Sequence, residues 1–145
     1  MLQVTNLPAI LIAISAAVIL LLGLLHLLYT IHGPKLLPRD PELVVRMQEV
    51  SPVITRETTM WKAWIGFNAS HSFGAILFGA VYGYLSLFHA ALLFQSMFLL
   101  LLGLVMLVGY LLLAHNYFFS IPLRGILLAT VLYSIALSIV WLHGG

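Results

Sequence analysis

A chain of 145 residues that is 63% hydrophobic and 7% charged, with a mean hydropathy of +1.14, cannot enclose its apolar mass in a water-soluble domain of that length. Six basic and four acidic residues leave a formal net charge of +2, which suits lipid headgroups better than nucleic acid. Cysteine is absent, and with it disulfides, thiolate metal sites and thiol nucleophiles.

The expected fold class is an all-α membrane protein. Four apolar segments, Leu7 to Ile31, Ala63 to Phe88, Ala90 to Ala114 and Ile121 to Leu142, reach the roughly 20 residues needed to cross about 30 Å of hydrocarbon. The only charge inside them is Arg124, whereas a water-soluble bundle needs charged outer faces. The prediction is a four-transmembrane-helix bundle, a single integral membrane domain over residues 1–145. Its helices cover about 7–31, 52–86, 90–114 and 121–142, with a short interfacial helix over about 41–50.

The first segment is expected to be retained, because it has no basic leader and its apolar run exceeds a cleaved signal core. Thr5 or Asn6 can cap it, and Pro8 fits the first turn. "GPKLLP", Gly33 to Pro38, ends it. In "RDPELVVRMQEV", Asp40 is a cap and Pro41 a first helical residue, while Leu43, Val44, Met47 and Val50 share one face. That short amphipathic helix suits the headgroup layer, and Glu42 and Arg46 are spaced to pair across its polar face. Ser51 and Pro52 are expected to restart a helix that runs on into the second crossing. Trp61, Lys62 and Trp64 are its membrane anchors.

Nine of the ten charged residues lie between Lys35 and Lys62. By the positive-inside bias the 32–61 loop is expected in the cytoplasm, with both termini and a short connection at His89 outside.

The stretch "GFNASHSFGA", Gly66 to Ala75, sets polar groups into the second crossing. At 100° per residue Asn68, His71, Ser72, Ala75, Gly79 and Gly83 fall on one stripe. Ala75, Gly79 and Gly83 suit close helix packing, so the stripe is expected to face protein and the bulky Phe67, Leu77 and Phe78 the rest. At about 1.5 Å per residue, His26 lies roughly 8 Å and His71 roughly 13 Å below the same boundary, close enough to meet. His26, Asn68, His71 and Ser72 are the candidate ligand-binding residues, around a polar cavity on the cytoplasmic side. Several readings of the histidine pair stand. It could ligate haem b or a metal, it could bridge helices through Asn68, Ser72 or Thr30, or it could line a small-molecule or lipid pocket or an enzyme's site. Thr130, Ser134 and Ser138 add hydroxyls at i+4 spacing on the fourth crossing.

No Asp or Glu lies inside a span, so a carboxylate dyad, a Ser-His-Asp relay and an acidic proton path are missing. No phosphate loop or zinc spacing occurs. Small residues beyond those a monomer needs, Gly103, Gly109, Ala9, Ala13, Ala16 and Ala17, lead to the expectation of a homo-oligomer or of other membrane subunits as partners. The leading expectation is thus an oligomeric or accessory membrane subunit, with catalysis unassigned.

The run "WKAWIGFNASHSFGAILFGAVYGYL", with "DPELVVRMQ" before it, resembles a group of small bacterial four-span membrane proteins of uncharacterised activity. That resemblance implies topology and a bacterial inner membrane, and no activity. In length, four spans and a long first loop, the chain is also similar to the membrane-associated eicosanoid and glutathione metabolism (MAPEG) family. That likeness implies a trimer with glutathione between subunits, held in part by an Arg, an Asn and a Glu along the second helix. Asn68 matches the Asn, while Trp64 and His71 stand at the Arg and Glu positions.

Overall fold

The computed structural model describes residues 6–143. It consists of six α-helices: α1 (Asn6–Ile31), α2 (Pro41–Glu49), α3 (Met60–Phe88), α4 (Ala90–Gln95), α5 (Met97–Tyr117) and α6 (Ser120–His143). Four of them, α1, α3, α5 and α6, are long and apolar enough to cross a membrane. The chain is an all-α four-helix membrane bundle. Of the two candidate caps of α1, Thr5 lies outside the described residues and Asn6 is the first helical residue.

Two compact units partition the chain. Residues 1–22 and 75–145 form the first, which draws on all four long helices. Its core contains Ile12, Ala16 and Ile19 of α1, Ala75, Phe78 and Tyr82 of α3, Leu100 and Leu107 of α5, and Ala129, Tyr133 and Ala136 of α6. Helices α5 and α6 pack along each other most extensively. In a bilayer, apolar side chains gain little by leaving lipid for protein, so close packing and interhelical hydrogen bonds must hold the helices together. Both occur here. A Cβ on Gly79 would lie 2.5 Å from Leu20 Cβ and 2.7 Å from the Ala16 carbonyl oxygen, so α3 approaches α1 at a distance only glycine permits. Gly125 lets α6 close on Leu22, and Gly103 receives the rings of Tyr133 and Tyr82.

Hydrogen bonds between helices also cross this unit. Ser15 Oγ donates to the Ala129 carbonyl at 2.8 Å, Tyr82 OH to Leu99 O at 2.7 Å, and Tyr133 OH to Leu100 O at 3.0 Å. A buried Tyr hydroxyl must find an acceptor, and main-chain carbonyls supply it here.

The third apolar segment is not one helix. The predicted span over 90–114 divides into α4 and α5 at Ser96, which takes φ −100° and ψ 96° and whose Oγ accepts from Leu99 N at 3.3 Å. A serine that caps its own downstream turn competes with helix continuation, and that competition breaks the rod. The crossing is α5, extended to Tyr117, and the link from α3 contains α4 as well as His89.

The second unit is residues 23–74. Gly33 ends α1 with φ +90°, a left-handed conformation that a side chain disfavours. Asp40 caps α2, accepting from Glu42 N at 3.0 Å, with Pro41 in the first turn. Arg46 pairs with Glu49 at 3.4 Å and not with Glu42, which lies in the first turn near the positive helix end. Both partners are exposed, so the pair contributes little.

The expectation of helix from residue 52 also needs correction, because α3 begins at Met60. Pro52 disfavours helical backbone at Ser51, and Thr55 Oγ1 accepts from Glu57 N at 3.2 Å in a local turn. Helix resumes only after Thr59, whose Oγ1 accepts from Lys62 N at 3.3 Å as an N-cap.

Candidate functional site

The polar residues of α3 that invite a functional reading lie within the second unit and meet the end of α1 there. Asn68 is the hub. Its Nδ2 donates to the Trp64 carbonyl one turn earlier at 2.8 Å, which turns Oδ1 toward His26. His26 Nε2 lies 3.1 Å from that oxygen. Because Oδ1 can only accept, Nε2 carries the proton, and in the neutral ring Nδ1 is left as an acceptor. The amide orientation therefore selects the tautomer.

His71 stands one turn beyond Asn68, with its ring centroid 5.5 Å from that of His26 and the planes at 83°, an edge-to-face contact. Ser72 is buried, and its Oγ donates back to Asn68 O at 2.9 Å. Thr30 Oγ1 donates to His26 O at 2.8 Å. Ser70 is exposed and bonds Phe67 O on its own helix at 2.9 Å, so it stands apart from the cluster. His26, Asn68 and His71 are each half-buried. Among the described residues no buried side-chain nitrogen or oxygen lacks a hydrogen-bond partner.

The arrangement holds α1 and α3 together within this unit, and its chemical reach beyond that is narrow. One imidazole and one amide satisfy each other, and no carboxylate lies inside the spans to serve as a proton relay. Haem ligation by the pair does not fit this geometry: His26 Nε2 is committed to Asn68, and the two rings are in edge contact where a porphyrin plane would have to pass. No group of three or more His, Asp or Glu side chains suited to a metal occurs among the described residues.

The remaining residues singled out from the sequence distribute as follows. Ala75 and Gly79 are buried and Gly83 is half-buried, with Ala16 Cβ 3.8 Å from where a Cβ on Gly83 would sit. Phe67, Phe73 and Leu77 are exposed on the other side of α3, whereas Phe78, expected with them, is buried. Trp61 is half-buried, and Lys62 and Trp64 are exposed at the start of α3. Thr130, Ser134 and Ser138 do not belong to the histidine cluster. They line a groove of about 440 Å³ on α6, together with Leu127, Val131 and Leu111 of α5. Two of their hydroxyls bond their own helix, Thr130 to Ile126 O at 2.8 Å and Ser138 to Ser134 O at 3.0 Å.

Sequence reasoning passed over Ser15, Tyr82 and Tyr133, which make the polar crossings of the first unit. The available signal was a tyrosine deep in an apolar run, where its hydroxyl must find a carbonyl, together with a glycine such as Gly103 to admit the ring.

No known protein-family model matches the chain, and no curated protein or solved structure matches it either.

Proposed function

We propose that the chain is an oligomeric membrane subunit of the bacterial inner membrane that associates with further copies of itself through α6, its charged loop in the cytoplasm. The observation that carries this reading is the groove along α6. It opens outward within a membrane span, its hydroxyls at Thr130 and Ser138 are already satisfied by their own helix, and large aliphatic side chains such as Leu111, Leu127 and Val131 make up most of the rest of its lining. Such a largely apolar surface, with a line of hydroxyls at i+4 spacing, suits a packed helix. Another copy has small exposed surface in Ala17. The His26, Asn68 and His71 cluster acts in this reading as a brace at the charged end. That role accords with the His26–Asn68 hydrogen bond and the His26–His71 ring contact.

Native mass spectrometry from lipid nanodiscs tests the proposal. The expected result is a discrete oligomer that a Ser134→Leu, Ser138→Leu double variant converts to a folded monomer. A wild-type chain that is monodisperse as a monomer refutes it.

A further inference from the structure

Val53 and Ile54 are 108% and 91% exposed, the highest values among the exposed large hydrophobic residues described, and they do not lie in a helix. The backbone presents them deliberately. Thr55 N bonds Pro52 O at 3.3 Å, which makes residues 52–55 a β-turn with Val53 and Ile54 at its two corners. Met60 N bonds Val50 O at 2.8 Å and closes the base of the loop. Turn corners favour Gly, Pro, Asn, Asp and Ser, and β-branched apolar residues are out of place there. Neither turn preference nor packing within the chain accounts for this pair, so an external apolar medium must.

The height of the loop identifies that medium. Helix α3 has 29 residues, about 43 Å of helix at 1.5 Å per residue, against about 30 Å of hydrocarbon. The surplus at its start carries Trp61, Lys62 and Trp64, side chains suited to the headgroup layer. The Val50 to Met60 hydrogen bond therefore ties the base of the loop to that same layer. Beside it, α2 buries no residue and leaves Leu43 and Val45 exposed, as is Val50 just after it.

We propose that the 51–59 loop is a membrane-inserting prong, with Val53 and Ile54 seated among the upper acyl carbons of the leaflet next to α2. The neighbouring charges, Arg56 and Glu57, oppose each other, so insertion rests on the apolar pair and does not require anionic lipid.

The cysteine-free chain makes the test direct. Ile54→Cys and Val53→Cys carry an environment-sensitive fluorophore in phosphatidylcholine nanodiscs, with Glu42→Cys on the polar face of α2 as reference; circular dichroism and a single chromatographic peak verify the fold of each. The expected result is blue-shifted emission at 53 and 54, several-fold stronger quenching by a nitroxide high on the acyl chain than at 42, and weak quenching by aqueous iodide. Adding anionic lipid should leave the shift unchanged. Water-like emission quenched by iodide as strongly as at 42 overturns the proposal. A blue shift that the lipid nitroxide fails to quench also overturns it, by placing the pair in a contact between protein copies.

Discussion

Removing Asn68 takes an acceptor from His26 and a donor from the Trp64 carbonyl at once, so its single-variant effect mixes two bonds. A double-mutant cycle with His26→Ala and Asn68→Ala isolates the pair. Interhelical hydrogen bonds in membranes average about 0.6 kcal/mol and reach about 1.7 kcal/mol. The expected coupling from reversible unfolding in bicelles is therefore about 1 kcal/mol. Additive effects of the two substitutions would remove the bond as a stabilising contact. What could be read at this scale from the sequence was the depth of each histidine along its helix, because rise per residue is constant. The choice of partner was not legible: Asn68, Ser72 and Thr30 were all within reach. Asn68 bonds His26 because its own amide is held by Trp64 O, whereas the Ser72 and Thr30 hydroxyls turn back to main-chain carbonyls.

Among the helices, spacing of small residues is informative only where a neighbour uses it. Gly79 and Gly109 are both glycines in apolar spans, yet a Cβ at Gly79 would strike Leu20 and the backbone of Ala16, while one at Gly109 meets nothing. Gly79→Ala is expected to destabilise by about 1–3 kcal/mol through overpacking. Gly109→Ala, gaining helix propensity, should be neutral or stabilising by up to about 1 kcal/mol. Leu77→Ala, on the exposed side of α3, should cost less than Gly79→Ala. Unfolding free energies measured in one lipid mixture compare all three, and equal losses at Gly79 and Gly109 would contradict the packing described. The element ends divide in the same way. Gly33 and the Asp40–Pro41 pair mark boundaries through local chemistry and could be placed from sequence. The break at Ser96 could not, since one serine inside an apolar run continues or interrupts a helix depending on whether its hydroxyl finds Leu99 N.

For the whole molecule, charge is the organising variable. Nine of the ten charged residues lie between Lys35 and Lys62, within the 23–74 unit. Orientation under the positive-inside bias follows from that concentration and is directly measurable. Glu57→Cys, in the exposed loop before α3, should react with a membrane-impermeant maleimide in inverted inner-membrane vesicles and stay protected in intact spheroplasts. The reverse pattern would invert the topology and move the proposed prong to the outer leaflet.

The sequence by itself determined that this is an all-α membrane protein with four crossings, because hydrophobic length and charge content report the solvent each segment requires without reference to any neighbour. It also placed the amphipathic α2 and the end of α1, where capping acts within a few residues. Tertiary structure alone decided that Ser15, Tyr82 and Tyr133 tie the first unit together, that Thr130, Ser134 and Ser138 line an outward groove, and that Val53 and Ile54 have no place inside the protein. Those outcomes depend on which surfaces meet, and a helix of leucines presents nearly the same face in every direction until a glycine or a hydroxyl finds its counterpart.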